Sequence, residues 1–201
     1  MKYFITGIST EVGKTIVSAI ITESLEADYW KPIQSGELHN SDTYKIKQFV
    51  SNSKSVFYPN SYALETPMSP HAAAAIDGIT IDLKKIQEPK TNNNLVIEGA
   101  GGLLVPLNDT DTILDLIQPD YKVIVVSRHY LGSINHTLLT VKLLQEKGFD
   151  VAIIFSGNEH KTTEEIIQKM TNATILGRIE EEPYFDKNVI KEYANLFKEK
   201  L

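Results

Sequence analysis

The chain has no cysteine in its 201 residues. Structural disulfides and cysteine-ligated metal centres are therefore excluded, and the composition agrees with a reducing cytoplasm, which is the expected location. Basic residues form no block: 20 Lys and Arg are outnumbered by 26 Asp and Glu, for a formal net charge of -6. Nucleic acid is not expected as a main partner, because such binding needs clustered cations to displace counterions. One local cationic pocket for a small anion stays compatible with that charge. No apolar run is long enough to span a bilayer, so no membrane partner is expected. The opening MKYFITG leads directly into a strand pattern, a layout that predicts no signal peptide. Metal-ligand spacing is missing among His39, His71, His129, His136 and His160. Ser69 and His71 are near neighbours, but no G-x-S-x-G elbow surrounds them, which argues against a hydrolase triad. There is no internal repeat and no low-complexity linker. With 42% hydrophobic residues, residues 1–201 are expected to form one domain around one core.

What is present is alternation. Short β-branched apolar runs at 3–6, 95–97, 123–126 and 151–155 are each bounded by turn or polar residues. Such runs predict strands buried on both faces, hence a parallel sheet. Helical spacing lies between and after them: 15–25, 133–146 with Gly148 closing it, 164–170 and 188–198. The expected fold class is α/β, doubly wound and mostly parallel, with helices on both faces. Residues 59–78, with prolines at 59, 67 and 70, are the least regular stretch, and a long loop in a compact domain often serves function. Trp30 is expected in the core, and the run Glu180–Glu182 as a solvated turn before Pro183.

Residues 7–15 read GISTEVGKT, a G-x4-G-K-T loop between an expected strand and an expected helix. Gly7 and Gly13 permit the backbone angles that fold such a loop around a phosphate chain. Its amides then point inward, and the helix N-terminus adds positive potential. Lys14 reaches the β- and γ-phosphates and the Thr15 hydroxyl ligates Mg²⁺ in loops of this kind. A chance match in a glycine-containing turn is the plainer alternative, and the flanking strand and helix weigh against it. The loop identifies a nucleotide and leaves the reaction open.

Two further segments carry suitable groups where ligands bind in such sheets, beyond the C-terminal ends of strands. In Trp30-Lys31-Pro32-Ile33-Gln34-Ser35-Gly36, Lys31 stands at the end of a short strand around 28–31 and offers a second cation. A solvated lysine is the competing reading. In Leu95-Val96-Ile97-Glu98-Gly99-Ala100-Gly101-Gly102, an acid ends a wholly apolar strand. A carboxylate there is costly without a metal, hydrogen bonds or water, and Mg²⁺ bridging phosphates needs one or two carboxylates. Glu98 is thus the leading metal-binding candidate, with a surface or capping role as the alternative. Asp42, in Asn40-Ser41-Asp42, opens an expected helix at 43–50, and by itself reads as an N-cap.

Together these segments resemble dethiobiotin synthetase. The resemblance rests on TGISTEVGKT (6–15), KPIQSG (31–36), NSD (40–42), TPMSPH (66–71), VIEGAGGLLVPL (96–107) and LGSINHTLLT (131–140), and fades beyond about residue 158. It implies an ATP- and Mg²⁺-dependent cyclo-ligase acting on 7,8-diaminopelargonate and carbon dioxide. It further implies catalytic roles for Lys31, Lys14, Thr10 and Glu11, and a nucleotide site of Gly7, Glu11, Val12, Gly13, Lys14, Thr15 and Ile16. Mg²⁺ would be held by Thr15, Asp42 and Glu98, which raises Asp42 above the capping role. Ser35, Gly101 and Gly102 would meet the substrate. Leu131, Gly132 and Asn135 would bind its carboxylate tail from a neighbouring subunit, which implies a homodimer with the substrate site at the interface. Asn135 reads equally as a helix-start residue.

One position departs from the family. Its members carry an adenine-reading Asn at the end of the strand matching 151–155, and here that place falls on Gly157. Asn158, one residue on, is the candidate for the contact, with weak base discrimination as the alternative. Two rival functions remain: another P-loop amidoligase, which usually carries a glutaminase domain for which this chain has no room, and a nucleotide-switched ATPase of the ParA/MinD kind. The second should show an early loop lysine or a membrane-seeking tail. Glu11 stands inside the loop, and the tail at 188–201 contains Glu192 and Glu199.

Overall fold

The computed structural model describes residues 1–201. Seven strands form one parallel sheet: β1 Lys2–Gly7, β2 Asp28–Trp30, β4 Phe57–Tyr58, β6 Leu95–Glu98, β7 Lys122–Arg128, β8 Asp150–Ser156 and β9 Thr174–Ile179. Their order is β4-β2-β6-β1-β7-β8-β9, while β3 Ile33–Ser35 and β5 Tyr62–Leu64 make a separate parallel pair. β1 lies centrally. Its Phe4 and Ile5 stand beside Ile97 and Glu98 on one side and Val123 and Ile124 on the other. Phe4, Ile5, Leu95, Val96, Val123 and Val125 are wholly buried, as continuous apolar strands in a two-sided sheet must be.

The helices are α1 Lys14–Leu25, α2 Asp42–Phe49, α3 Pro70–Ile76, α4 Ser133–Glu146, α5 Lys161–Thr171 and α6 Lys187–Phe197. From β1 the chain moves through α1 towards β2 on one side of the sheet, and from β7 through α4 towards β8 on the other. Crossovers of one hand running in opposite directions place α1 and α4 on opposite faces. α6 returns to pack on α1, and α5 packs on α4. The expected doubly wound α/β architecture is what the chain adopts.

Particular boundaries differ. α2 begins at Asp42, and its N-cap is Ser41, whose hydroxyl accepts from the Tyr44 amide. The capping role read for Asp42 is therefore corrected: a residue in the first turn projects its carboxylate outward, free for other partners. The irregular stretch at 59–78 contains β5 and α3. Gly148, at φ 82, follows the last turn of α4 as expected. No helix is long and apolar enough to cross a membrane.

Candidate active site

β1 ends at Gly7 and the chain turns at once. A Cβ on Gly7 would stand 2.7 Å from the Ser9 carbonyl oxygen and 2.6 Å from Val12 Cγ2, so the turn closes only around glycine. Glu11 adopts φ 55 and Gly13 φ 97, which aims successive amides to one side. α1 begins without a side-chain cap and without an acid in its first turn. Its orphan N–H groups and the positive end of its dipole are left for an anion. The Lys14 ammonium folds back to donate to the Ser9 carbonyl at 3.0 Å. The glycines after β6 pass close by: a Cβ on Gly102 would lie 3.2 Å from the Gly7 carbonyl oxygen.

Three elements meet at the end of this loop. Glu98 closes β6 and is 1% exposed. Its Oε1 accepts from Thr15 Oγ1 at 3.1 Å and from Lys31 Nζ at 3.1 Å, and its Oε2 accepts from the Tyr29 hydroxyl at 3.0 Å. Lys31 also donates to Asp42 Oδ2. Gln34 accepts from the Asp42 amide at 3.3 Å and donates to the Gly36 carbonyl at 3.1 Å, which ties α2 to β3. Burial pulls the Lys31 ammonium down, but the carboxylates of Glu98 and Asp42 hold it above its ordinary value. Burial pushes Asp42 up, and Lys31 outweighs it to keep the acid below the usual range. Lys14 has no such partner: burial lowers it to about 8, Glu98 opposes that, and the charge on Lys31 adds to it. Burial first, then Glu98 and Asp42, raise Tyr29 well above the ordinary phenol, so it stays a proton donor.

The arrangement fits a divalent cation. A positive ammonium already stands between Glu98 and Asp42, and a hydroxyl joins them on Glu98 Oε1. The donors are all oxygen and include two carboxylates, the set Mg²⁺ accepts when phosphate oxygens complete its shell.

A cavity of about 930 Å³ opens from this point. Of the residues read from sequence, Thr10, Glu11, Gly13, Lys14, Thr15, Ile16, Lys31, Ser35, Asp42, Glu98 and Gly101 line it. Gly7, Val12 and Gly102 do not; they form the backing of the loop. At the far end Gly157 is in the wall and Asn158 is not; Asn158 is exposed. The Gly157 amide is already committed to the Ile179 carbonyl at 2.9 Å. Leu131, Gly132 and Asn135 lie on the surface outside the cavity, Leu131 fully exposed.

Several lining residues were not read from sequence: Gln34, Lys45, Arg128 and Phe185. The acidic run Glu180–Glu182 also reaches the wall and is anchored there. Arg128 pairs with Glu181 at 2.7 Å, Arg178 with Glu180 at 3.4 Å, and Tyr193 donates to Glu182 at 2.6 Å. Glu180 and Glu181 are exposed to solvent as expected, and the run is also an organised rim. Met68 and Ser69 from the proline-rich stretch also line the cavity.

Residues 1–189 match a family model described as an AAA domain. The ATP-dependent dethiobiotin synthetase of Christiangramia forsetii is 62% identical over 201 residues, covering 100% of this chain and 97% of that protein. The chain belongs to the dethiobiotin synthetase family. The enzyme of that name from Cytophaga hutchinsonii is 50% identical over 196 residues, covering 96% of this chain and 95% of its own length. Among solved structures, the MinC:MinD cell division complex of Aquifex aeolicus matches with TM-score 0.60 at 15% identity, over 99% of this chain and 94% of that one. A plasmid partition protein from Borrelia burgdorferi B31, bound to AMPPNP, matches with TM-score 0.59 at 15% identity, over 100% and 98%. At that identity the two structures share the P-loop fold with this dethiobiotin synthetase family member, and the likeness ends there.

Proposed function

We propose that this chain, as one synthetase domain over residues 1–201, closes the ureido ring of dethiobiotin from 7,8-diaminopelargonate, carbon dioxide and ATP. The observation that carries the reading is the meeting of Lys14, Lys31, Thr15, Asp42 and Glu98 at one end of a cavity large enough for nucleotide and diamine together. An amine adds to carbon dioxide, losing a proton, and gives a carbamate. A carbamate oxygen takes the γ-phosphoryl group and ADP leaves. The second amine attacks the carbonyl carbon and loses a proton, phosphate departs with the C–O bond pair, and the ring closes.

The loop amides around Thr10 and Glu11, with Gly13 and the start of α1, hold the β- and γ-phosphates. Lys14 leaves the Ser9 carbonyl for phosphate oxygens, and Lys31 turns from its carboxylates towards the group in transfer. Both ammonium groups meet the charge that develops there, and their fixed placement lowers the barrier. Thr15, Asp42 and Glu98 would hold Mg²⁺, which supplies charge neutralisation on the phosphate oxygens. Ser35 and Gly101 face the diamine, with Gly102 supporting from behind. Asn158 stands just outside the wall at the base, where the backbone at Gly157 and the Phe185 ring supply the surface. Leu131, Gly132 and Asn135 serve the diamine's carboxylate in a partner subunit of a homodimer. Leu131 and Ile134, both exposed at the N-terminal end of α4, support that assembly. A cytoplasmic location goes with this reading and is supported by the absence of cysteine.

The test is ADP release with and without the diamine and bicarbonate together. Strong stimulation is expected. A basal rate indifferent to both compounds removes the assignment.

A further inference from the structure

We propose that Tyr29 is a positioning residue that makes Glu98 present one carboxylate oxygen to the metal, and that it thereby favours Mg²⁺ over Ca²⁺. The inference rests on the Mg²⁺ site of Thr15, Asp42 and Glu98 proposed above.

The two oxygens of Glu98 have separate occupations. Oε1 faces Thr15 and Lys31, the side open to the cavity, and Oε2 is engaged by the Tyr29 hydroxyl at 3.0 Å. Tyr29 is itself immobile. It is wholly buried in β2, its backbone pairs with Val96 of β6 and Phe57 of β4, and its ring packs on Phe57 at 6.2 Å between centroids. Val96 and Glu98 are two residues apart on one strand, so both point to the same face of the sheet. A tyrosine opposite Val96 therefore has the length to bring its hydroxyl level with the Glu98 carboxylate. The carboxylate is thus fixed at one end by its own strand and at the other by a neighbouring strand.

The chemical consequence follows from what the two cations demand. Mg²⁺ requires near-octahedral geometry and takes carboxylates through single oxygens. Ca²⁺ is larger, accepts six to eight ligands and readily takes both oxygens of one carboxylate. Holding Oε2 in a hydrogen bond leaves Glu98 a one-oxygen ligand, which suits the first and denies the second a ligand. Hydrogen-bonding partners of metal ligands commonly change metal affinity by about 10–100-fold when removed.

The experiment titrates MgCl2 and CaCl2 separately into the full chain saturated with a non-hydrolysable ATP analogue, followed by calorimetry. Tyr29→Phe retains the ring and its packing. It is expected to weaken Mg²⁺ binding by about tenfold while Ca²⁺ binding holds or tightens, so that the ratio of the two affinities collapses. A ratio equal to that of the unaltered protein overturns the proposal, whatever the variant's melting temperature. Glu98→Gln serves as the control. It is expected to weaken both cations, and if it weakens neither, the metal assignment itself falls. If Glu98→Gln weakens both and Tyr29→Phe leaves the ratio unaltered, only the role of Tyr29 falls.

Discussion

The Lys31 ammonium and the Glu98 carboxylate form a buried ion pair at 3.1 Å, with side chains 7% and 1% exposed. Asp42 closes on the same ammonium from α2. One lysine therefore neutralises the two acids that are proposed to share a metal. Lys31→Gln leaves those two carboxylates facing each other with no cation between them. Loss of one partner from a buried pair costs about 3–5 kcal/mol, so a clear fall in melting temperature is expected in chelator, with Mg²⁺ restoring part of it. Phosphate release under saturating ATP should fall about 100-fold or more, the scale for one charge-stabilising donor. Unchanged turnover would exclude Lys31 from the chemistry.

Ser35 offers a contrasting case. Its hydroxyl is buried at the cavity wall and has no hydrogen-bond partner. Ser35→Ala therefore removes no hydrogen bond within the chain, and the melting temperature should hold or rise slightly. The KM for diaminopelargonate should rise by about 2–10-fold, the worth of one neutral hydrogen bond, with the KM for ATP little altered. Equal changes in both constants would place Ser35 outside the diamine site.

Gly36 has φ 67, and a Cβ there would stand 2.5 Å from Pro67 Cβ and 2.7 Å from Pro67 Cα. Gly36→Ala should cost about 1–3 kcal/mol from backbone strain, with the clash in addition. The displaced segment is the one carrying Met68 and Ser69 into the cavity. Denaturant unfolding should show the loss, and the diamine KM should rise with it. A variant as stable as the unaltered chain would show that the 67–70 segment yields freely.

Leu131 is fully exposed at the start of α4. Placing a charge there should split the proposed dimer. Light scattering of Leu131→Asp is expected to give the monomer mass, accompanied by a raised diamine KM while nucleotide binding persists. A dimer of unaltered strength would locate the interface elsewhere.

How much of this was visible in the sequence varies by element. The helix at 133–146 matches the observed α4, because a long apolar stripe with a closing glycine leaves little ambiguity. The central strands were readable because burial on both faces demands unbroken apolar runs. β4 consists of Phe57 and Tyr58 alone, and two residues carry no period. Ser41 and Asp42 are both capping types, so local chemistry could not say which one caps; only the position of the acid beside Lys31 assigns the roles. Tyr29 was invisible as a functional group because an aromatic in a strand reads as core, and it is core as well. The clue available was register: it stands one residue before Trp30-Lys31, on a strand whose end faces the loop. The Glu180–Glu182 run reads from sequence as a solvated turn, and its place on the cavity rim does not show there because its partners, Arg128 and Tyr193, are distant in sequence.

The central place of β1 has a consequence for synthesis. Its two neighbours are supplied by residues 95–98 and 122–126. The segment that carries the glycine turn is thus synthesised well before either of the strands that flank it. Until residue 126 has emerged, a hydrophobic ribbon ending in GISTEVGKT has unsatisfied edges, and pairing over such separations is intrinsically slow. Nascent chains halted before that point should be protease-sensitive and unable to retain nucleotide, while those halted after β7 should begin to protect their own beginning.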